Sequence, residues 1–358
     1  MTVVVKIGTS SLTAESGDLR ESAVAQLCAQ VADVRARGQR VVIVTSAAIH
    51  AGRAVLGLDG GDPVTLQAVS AVGQTRLMRM YESALDAHGL VGGQVLLAPL
   101  DFFERQQYLH ARGTLEKLLD LGVVPVVNEN DAIADDAIRF GDNDRIAALV
   151  ANLLHAEVLV LLTDTAGVLT ADPRVDASAS LIEEILEIDR ELDTVVTGPG
   201  LRGSGGMASK LSAARIAAWS GIRTVIADAD RPNVLIDAID GVAGVGTTVV
   251  ARDTRWPARK LWIAFAVRAL GHIVIDEGAK RALVERGTSL LGVGVTAVDG
   301  KFGVGDAVEV AGPDGIVFAK GLVSMRSDQV AEVAGRHSAF APHVPDEVIH
   351  RDELVLMP

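Results

Sequence analysis

Val3-Val4-Val5-Lys6-Ile7-Gly8-Thr9-Ser10-Ser11 is the stretch on which the reading of the fold turns. Its apolar residues are β-branched and continuous rather than alternating, which is the pattern of a strand covered on both faces, and the small polar residues after Ile7 mark its exit into a loop. Working outward, residues 18–37 place Leu19, Val24, Leu27, Val31 and Val34 at helical spacing, with Gly38 as a C-terminal stop. Residues 40–45 form the next apolar run, and the small residues of 46–52 open another helix at its carboxyl end. Strand, helix and strand in this order predict a parallel pair with a crossover. The alternation continues with helices over about 65–87 and 104–120 and strands at 91–97 and 122–127. A hairpin at 132–140, a helix at 144–154, a strand at 157–162, a helix at 207–220 and a strand at 223–227 follow. An α/β domain with a mostly parallel central sheet flanked by helices is the expectation.

The 358 residues suffice for two domains, and 49% apolar with 22% charged residues sets disorder aside. Aromatics make up only 3%, whereas 36 glycines suit tight turns and close backbone approach. The net charge of −13 opposes an extended polyanion as the main partner. Cys28, the one cysteine, lies in the apolar stripe of the first helix and reads as a buried thiol in a reducing compartment. Met1 is followed by no basic leader segment, and no apolar run approaches 18 residues, so the expected location is cytoplasmic, without a membrane span. Around Arg252-Asp253-Thr254-Arg255-Trp256-Pro257 the texture becomes polar, and beyond it short strands are expected at 261–267, 272–275, 293–297, 307–310 and 316–323, with a helix at 277–286. The division expected is a domain over 1–250, a linker over 251–259 and a small β-rich domain with a C-terminal tail over 260–358. Residues 251–358 carry 13 basic and 14 acidic side chains, so the excess negative charge lies in the first domain.

Each polar or Gly-rich cluster follows an apolar strand or opens a helix, which in a parallel sheet gathers them along one carboxyl edge. They are Lys6 to Ser10, Ser46-Ala47-Ala48, Asn128 to Asp131 with Gly141 to Asp144, Thr163-Asp164, and Ser204 to Lys210. A glycine beside Lys6 admits backbone N–H groups to a phosphate, and the second Gly-rich loop opens the helix bearing Lys210, read as lying in its first turn. Two lysines then flank one phosphoryl group. Taken singly, Lys6 also fits a solvated strand end, residues 198–206 a plain connection, and 128–131 with 141–144 a set of Asx turns and a helix cap. Neither glycine loop fits the Walker or dinucleotide-binding spacing, and the eight histidines show no zinc pattern. The amides and carboxylates of 128–131 and 141–144 suit a small ligand bearing an ammonium group and a carboxylate. No protein metal ligand is expected; Mg²⁺ is expected with a nucleotide.

In their order and spacing, Lys6-x-Gly8-Thr9-Ser10, Thr45-Ser46-x-Ala48-Ile49-x-Ala51-Gly52, Ala71-Val72-Gly73-Gln74, Asn128 to Asp131, Gly141 to Asp144 and Gly205-Gly206-Met207-x-x-Lys210 resemble the glutamate 5-kinase family. Ile275 to Ala279 and Gly287 to Leu291 resemble the PUA domain that follows the amino-acid-kinase domain in many members. The resemblance implies an amino-acid-kinase sandwich over 1–250 and a PUA-like domain after the linker. It also implies ATP-dependent phosphorylation of the γ-carboxylate of L-glutamate, the first step of proline synthesis. Lys6, Lys210 and Asp144 would then be catalytic, Asp144 orienting both lysines, and Ser46, Asp131 and Asn143 would hold glutamate. Lys6, Thr163, Asp164, Ser204, Gly205, Gly206, Met207, Ala208, Ser209 and Lys210 would contact the nucleotide. ATP with Mg²⁺, L-glutamate, a homo-oligomer (dimer or tetramer) and γ-glutamyl phosphate reductase are the implied cofactor and partners. Ala47 stands where the family carries glycine, so a left-handed requirement there would strain or shift the loop. Ser204 stands in place of threonine, and His110-Ala111-Arg112-Gly113 in place of Asn-Ala-Arg-Asn/Asp. Another acceptor carboxylate, or RNA binding through residues 260–340, are the competing readings.

Overall fold

The computed structural model describes residues 1–14, 18–58, 60–102, 104–133, 143–171, 176, 178–188, 205–253, 255–265, 267–336 and 345–357. The chain divides into two compact units, Met1–Arg255 and Trp256–Pro358.

The first unit is built on an eight-stranded sheet. In chain order its elements are β1 (Thr2–Ile7), α1 (Thr9–Leu12), α2 (Glu21–Ala36), β2 (Arg40–Val44), α3 (Ala48–Leu56), α4 (Pro63–Asp86), β3 (Gly92–Leu97), α5 (Arg105–Asp120) and β4 (Val124–Glu129). There follow α6 (Asn143–Leu153), β5 (Val158–Thr163), β6 (Glu184–Ile185), α7 (Gly205–Trp219), β7 (Arg223–Asp228), α8 (Val234–Asp240) and β8 (Gly246–Val249). The strand order is β3-β4-β2-β1-β5-β7-β8-β6, parallel throughout except where β8 runs against β7. The alternation of short apolar runs and helical stripes predicts this layout, though β6 and β8 carried no signal of their own.

β1 lies near the middle of the sheet, between β2 and β5, and all six of its residues are buried, Lys6 included. From α2, Val24, Leu27, Cys28, Val31 and Val34 pack into the same apolar cluster as Val3, Val5 and Ile7. Each such aliphatic side chain contributes about 1.5–3 kcal/mol on burial, so this layer holds β1 in register. Burial pushes the Cys28 thiol up to about 12, which keeps it protonated at neutral pH and leaves it a packing residue.

Two close approaches fix the helix pair beside the sheet. A β-carbon on Gly52 would lie 1.9 Å from Val69 O, and one on Gly73 would lie 1.7 Å from Ala48 O, so only glycine lets α3 and α4 meet here. The start of α4 is set locally: the Asp62 carboxylate accepts from Thr65 N at 2.8 Å, with Pro63 in the first helical position. The hairpin expected at 132–140 falls almost entirely on residues outside those described; Asp131–Ile133 form a single 3₁₀ turn.

The second unit contains α9 (Ala258–Phe265), β9 (Gly271–Ile275), α10 (Glu277–Arg286), β10 (Leu290–Leu291), β11 (Val295–Gly300), β12 (Ala307–Ala311), β13 (Val317–Val323), α11 (Ser327–Val333) and β14 (Glu347–Leu356). Its sheet order is β10-β14-β13-β12-β9-β11. One expectation is overturned: the run 261–267 is read as a strand, but residues 261–265 of it form the greater part of helix α9. A continuous apolar run is ambiguous between the two states. Here the amides of Lys260 and Leu261 turn back onto Pro257 O, and the helix buries Ile263 and Ala264 against Leu322 and Val355. β10, β14 and α11 have no counterpart among the expected elements. The polar stretch His350 to Glu353 breaks the strand signal of β14, and distant partners, β13 and β10, supply its pairing.

Candidate active site

Because β1, β2, β4 and β5 run parallel, their carboxyl ends open onto one edge of the sheet. Lys6 is the fifth residue of β1, opposite Val44 of β2 and Leu161 of β5. Its ammonium lies 2.7 Å from Asp144 Oδ1, and Lys210 Nζ lies 3.4 Å from Asp144 Oδ2. The three side chains are only 5–7% exposed. Asp144 enters from the first turn of α6, which packs on β1 and α7, and Lys210 enters from α7. Helix α7 begins at Gly205, so Lys210 is its sixth residue and lies in the second turn, not the first.

Gly8 roofs this pair of charges. A β-carbon there would stand 3.3 Å from Lys6 Nζ and 4.0 Å from Lys210 Nζ, so both ammonium groups converge on the backbone just past β1. Burial by itself would push the Asp144 carboxyl up; the charges of Lys6 and Lys210 outweigh that, helped by hydrogen bonds from Lys6 and Ser209, and hold it below the usual carboxylate range. Both ammonium groups thus share one ionised carboxylate.

A second polar cluster lies at the ends of β2 and β4. Ser46, Asp131 and Asn143 are all buried. Asn143 Oδ1 accepts from Glu129 N at 3.0 Å, which ties the start of α6 to the end of β4 and places Asn143 next to Asp144. Asp131 Oδ2 accepts from Ser70 Oγ at 2.7 Å, and Asn128 Nδ2 donates to Gln74 Oε1 at 2.7 Å. The remaining amide atoms of that pair, Gln74 Nε2 and Asn128 Oδ1, are buried without a hydrogen-bond partner among the described residues. Burial pushes the Asp131 carboxyl up, and the Ser70 hydroxyl opposes the rise. Ser70 was missed in the sequence. It sits four positions before Gln74, one helical turn away on the same face, but nothing along the chain ties it to Asp131.

Ala47 follows Ser46 and precedes α3, at φ 78° and ψ 11°, the left-handed conformation that glycine favours. The turn from β2 into α3 has thus not moved away from that geometry; alanine occupies it under strain. The Ala47 side chain is buried in the apolar cluster that includes Leu77 and Tyr81, which offsets part of the cost. Tyr81 in turn bonds Thr45 Oγ1 at 2.8 Å, anchoring the strand end that carries Ser46.

At the end of β5, Thr163 is buried, Asp164 is exposed, and the threonine hydroxyl bonds Asp164 Oδ1 at 3.1 Å. Gly205, Gly206, Met207, Ala208 and Ser209 form the first turn and more of α7, with Met207 buried and Gly206 and Ala208 exposed. Ser204 lies outside the described residues, as do Gly141 and Asp142. Among the described residues no group of three or more His, Cys, Asp or Glu side chains is placed to hold a metal ion.

Comparison with known proteins follows the same division into units. The amino acid kinase family model matches residues 1–228, and the PUA domain model matches residues 271–344. Over 99% of its length the chain is 42% identical to the glutamate 5-kinase of Trichlorobacter lovleyi, covering 96% of that protein. It is 43% identical to the glutamate 5-kinase of Burkholderia multivorans, again over 99% of this chain and 97% of the relative. Among solved structures, the carbamate kinase from Giardia lamblia bound to AMP-PNP matches 70% of this chain and 98% of its own with a TM-score of 0.52 at 18% identity, a likeness of fold.

Proposed function

The chain belongs to the amino acid kinase family, and from that membership we propose that it transfers the γ-phosphoryl group of ATP to the γ-carboxylate of L-glutamate, the first step of proline synthesis. The observation that carries the reading is the convergence of Lys6 and Lys210 on Asp144 beside Gly8. A glutamate side chain, with a pKa of about 4.3, is ionised at neutral pH and is itself the nucleophile, so no general base is needed. A carboxylate oxygen forms the new bond to the γ-phosphorus as the bond to the β,γ-bridging oxygen breaks, and ADP leaves. Both reactants are anions, so the protein's task is to bring like charges together and stabilise those that spread over the moving group.

Lys6 and Lys210 supply that positive charge, and Asp144 sets the position of both ammonium groups. Ser46, Asp131 and Asn143 hold glutamate, Asp131 facing its ammonium group. Thr163, Asp164 and residues 204–210 contact the nucleotide, with the N-terminus of α7 directed to its phosphates. A Mg²⁺ that enters with ATP would neutralise phosphate charge there. We assign the reaction to residues 1–250 and place it in the cytoplasm; among the described residues no helix is long and apolar enough to cross a membrane. The acyl phosphate product requires a reductase to consume it, and a homo-oligomer is the expected assembly.

Trapping the product with hydroxylamine tests the reading across a panel of amino acids. ATP-dependent hydroxamate is expected with L-glutamate; formation only with a different carboxylate would move the assignment to another acceptor, and none at all would reject it.

A further inference from the structure

Two polar side chains of α4, one turn apart, reach the end of β4 from a helix face otherwise filled by Val69, Gly73 and Leu77. Gln74 takes Asn128; Ser70 takes Asp131. The close approach at Gly73 seats α4 against α3, so the pair is held by packing rather than by a flexible arm. Ser70 is 4% exposed and Asp131 6%, and a polar group buried to that degree is costly unless it is bonded. Among the described residues Asp131 has no ion-pair partner, and its one side-chain bond is the 2.7 Å contact from Ser70 Oγ to Oδ2. Among the described residues, then, only a neutral hydroxyl holds this buried carboxylate.

We propose that Ser70 is a positioning residue for the amino-acid site, its hydroxyl fixing the Asp131 carboxylate so that Oδ1 is presented to the substrate's ammonium group. The inference rests on the reading that Asp131 binds that group. Ser70 touches no reacting atom and acts through Asp131 alone. It also favours the ionised form: burial raises the Asp131 carboxyl and the hydroxyl bond lowers it, and among the described residues no other group contributes. The elements adjoining Asp131 carry Glu129 on β4 and Arg76, Arg79, Glu82 and Asp86 on α4, and none of these charges shifts its carboxyl. Only ionised Asp131 attracts an ammonium group, so the KM for glutamate rises as pH falls through the Asp131 pKa. Without the hydroxyl that rise begins at higher pH.

Steady-state kinetics of the full chain at saturating MgATP, from about pH 5.5 to about 8.5, test this with Ser70→Ala, Asp131→Asn and the double variant. Ser70→Ala is expected to raise the KM for glutamate about tenfold, equivalent to about 1.4 kcal/mol, with a much smaller change in kcat. Its low-pH rise in KM is expected to shift upward, and in the Asp131→Asn background the same substitution is expected to add nothing. Ser70→Cys, similar in size and a weak donor, is expected to fall between the wild type and alanine, and carries the test if the alanine variant does not fold. An unchanged KM in Asp131→Asn would remove the underlying reading. A raised KM there, combined with an unchanged KM in Ser70→Ala, or with a Ser70 effect of equal size in both backgrounds, would overturn the proposal itself.

Discussion

Asp144→Asn removes one negative charge from between two buried cations and changes the shape of the side chain little. At an effective dielectric constant of about 20, attraction across 2.7 Å and 3.4 Å amounts to about 6 and about 5 kcal/mol. Desolvation takes back several kcal/mol per ion, and removing one partner from such a buried set costs about 3–5 kcal/mol, because the remaining charges are left uncompensated. For a unit of this size that corresponds to a fall of about 10 °C in Tm. The nucleotide's phosphates bring back negative charge, so a non-hydrolysable ATP analogue with Mg²⁺ is expected to raise the Tm of the variant by more than that of the wild type. The pH dependence has a definite sign. A carboxyl held below its ordinary range stabilises the fold above the unfolded-state pKa of about 3.9 and loses that contribution as pH falls through the lower folded-state value, so the gap between wild type and variant closes only in acid. Circular dichroism melts over a pH series, with and without the analogue, read all three effects. A Tm loss under about 2 °C at neutral pH, or equal stabilisation of both proteins by nucleotide, would show that the lysines do not depend on Asp144 and refute the reasoning.

Lys6→Ala and Lys210→Ala are each expected to lower kcat about 100-fold or more, since each removes charge opposed to the transferring phosphoryl group; an effect confined to KM would contradict that role. At Ala47, relief of left-handed strain and loss of a buried methyl nearly cancel, so Ala47→Gly is expected to change stability by less than about 1 kcal/mol in urea unfolding. Ala47→Val, with a branched β-carbon at φ 78°, is expected to cost at least about 2 kcal/mol; equal midpoints for the two variants would show that the turn does not hold that conformation in solution.

Much of this protein is legible along the chain. The β-branched run at Val3 to Ile7, the helical stripe from Val24 to Val34 and their repetition specify a parallel sheet, because a strand covered on both faces must be apolar throughout and a crossover helix must be apolar on one side. The clusters that follow the strands name Lys6, Asp131, Asn143, Asp144 and Lys210, since a parallel sheet sends all its strand ends to one edge. Such local rules read only neighbours in sequence. They do not distinguish strand from helix in the apolar run of α9, whose state depends on Leu322 and Val355, nor find β14, whose partners are β13 and β10. They also leave undecided whether a lysine on a strand and another some 200 residues later share one carboxylate. That is decided by the packing of α6 against β1 and α7. Ser70 belongs with these: a serine in a helix carries no instruction to bond Asp131, 61 residues on, until Gly73 lets α4 close on α3 and the buried carboxylate leaves its hydroxyl a partner. Sequence determined which chemical groups line the edge of the sheet. The tertiary structure determined which of them meet, because hydrogen bonds and ion pairs act over about 3 Å and only packing brings distant residues that close.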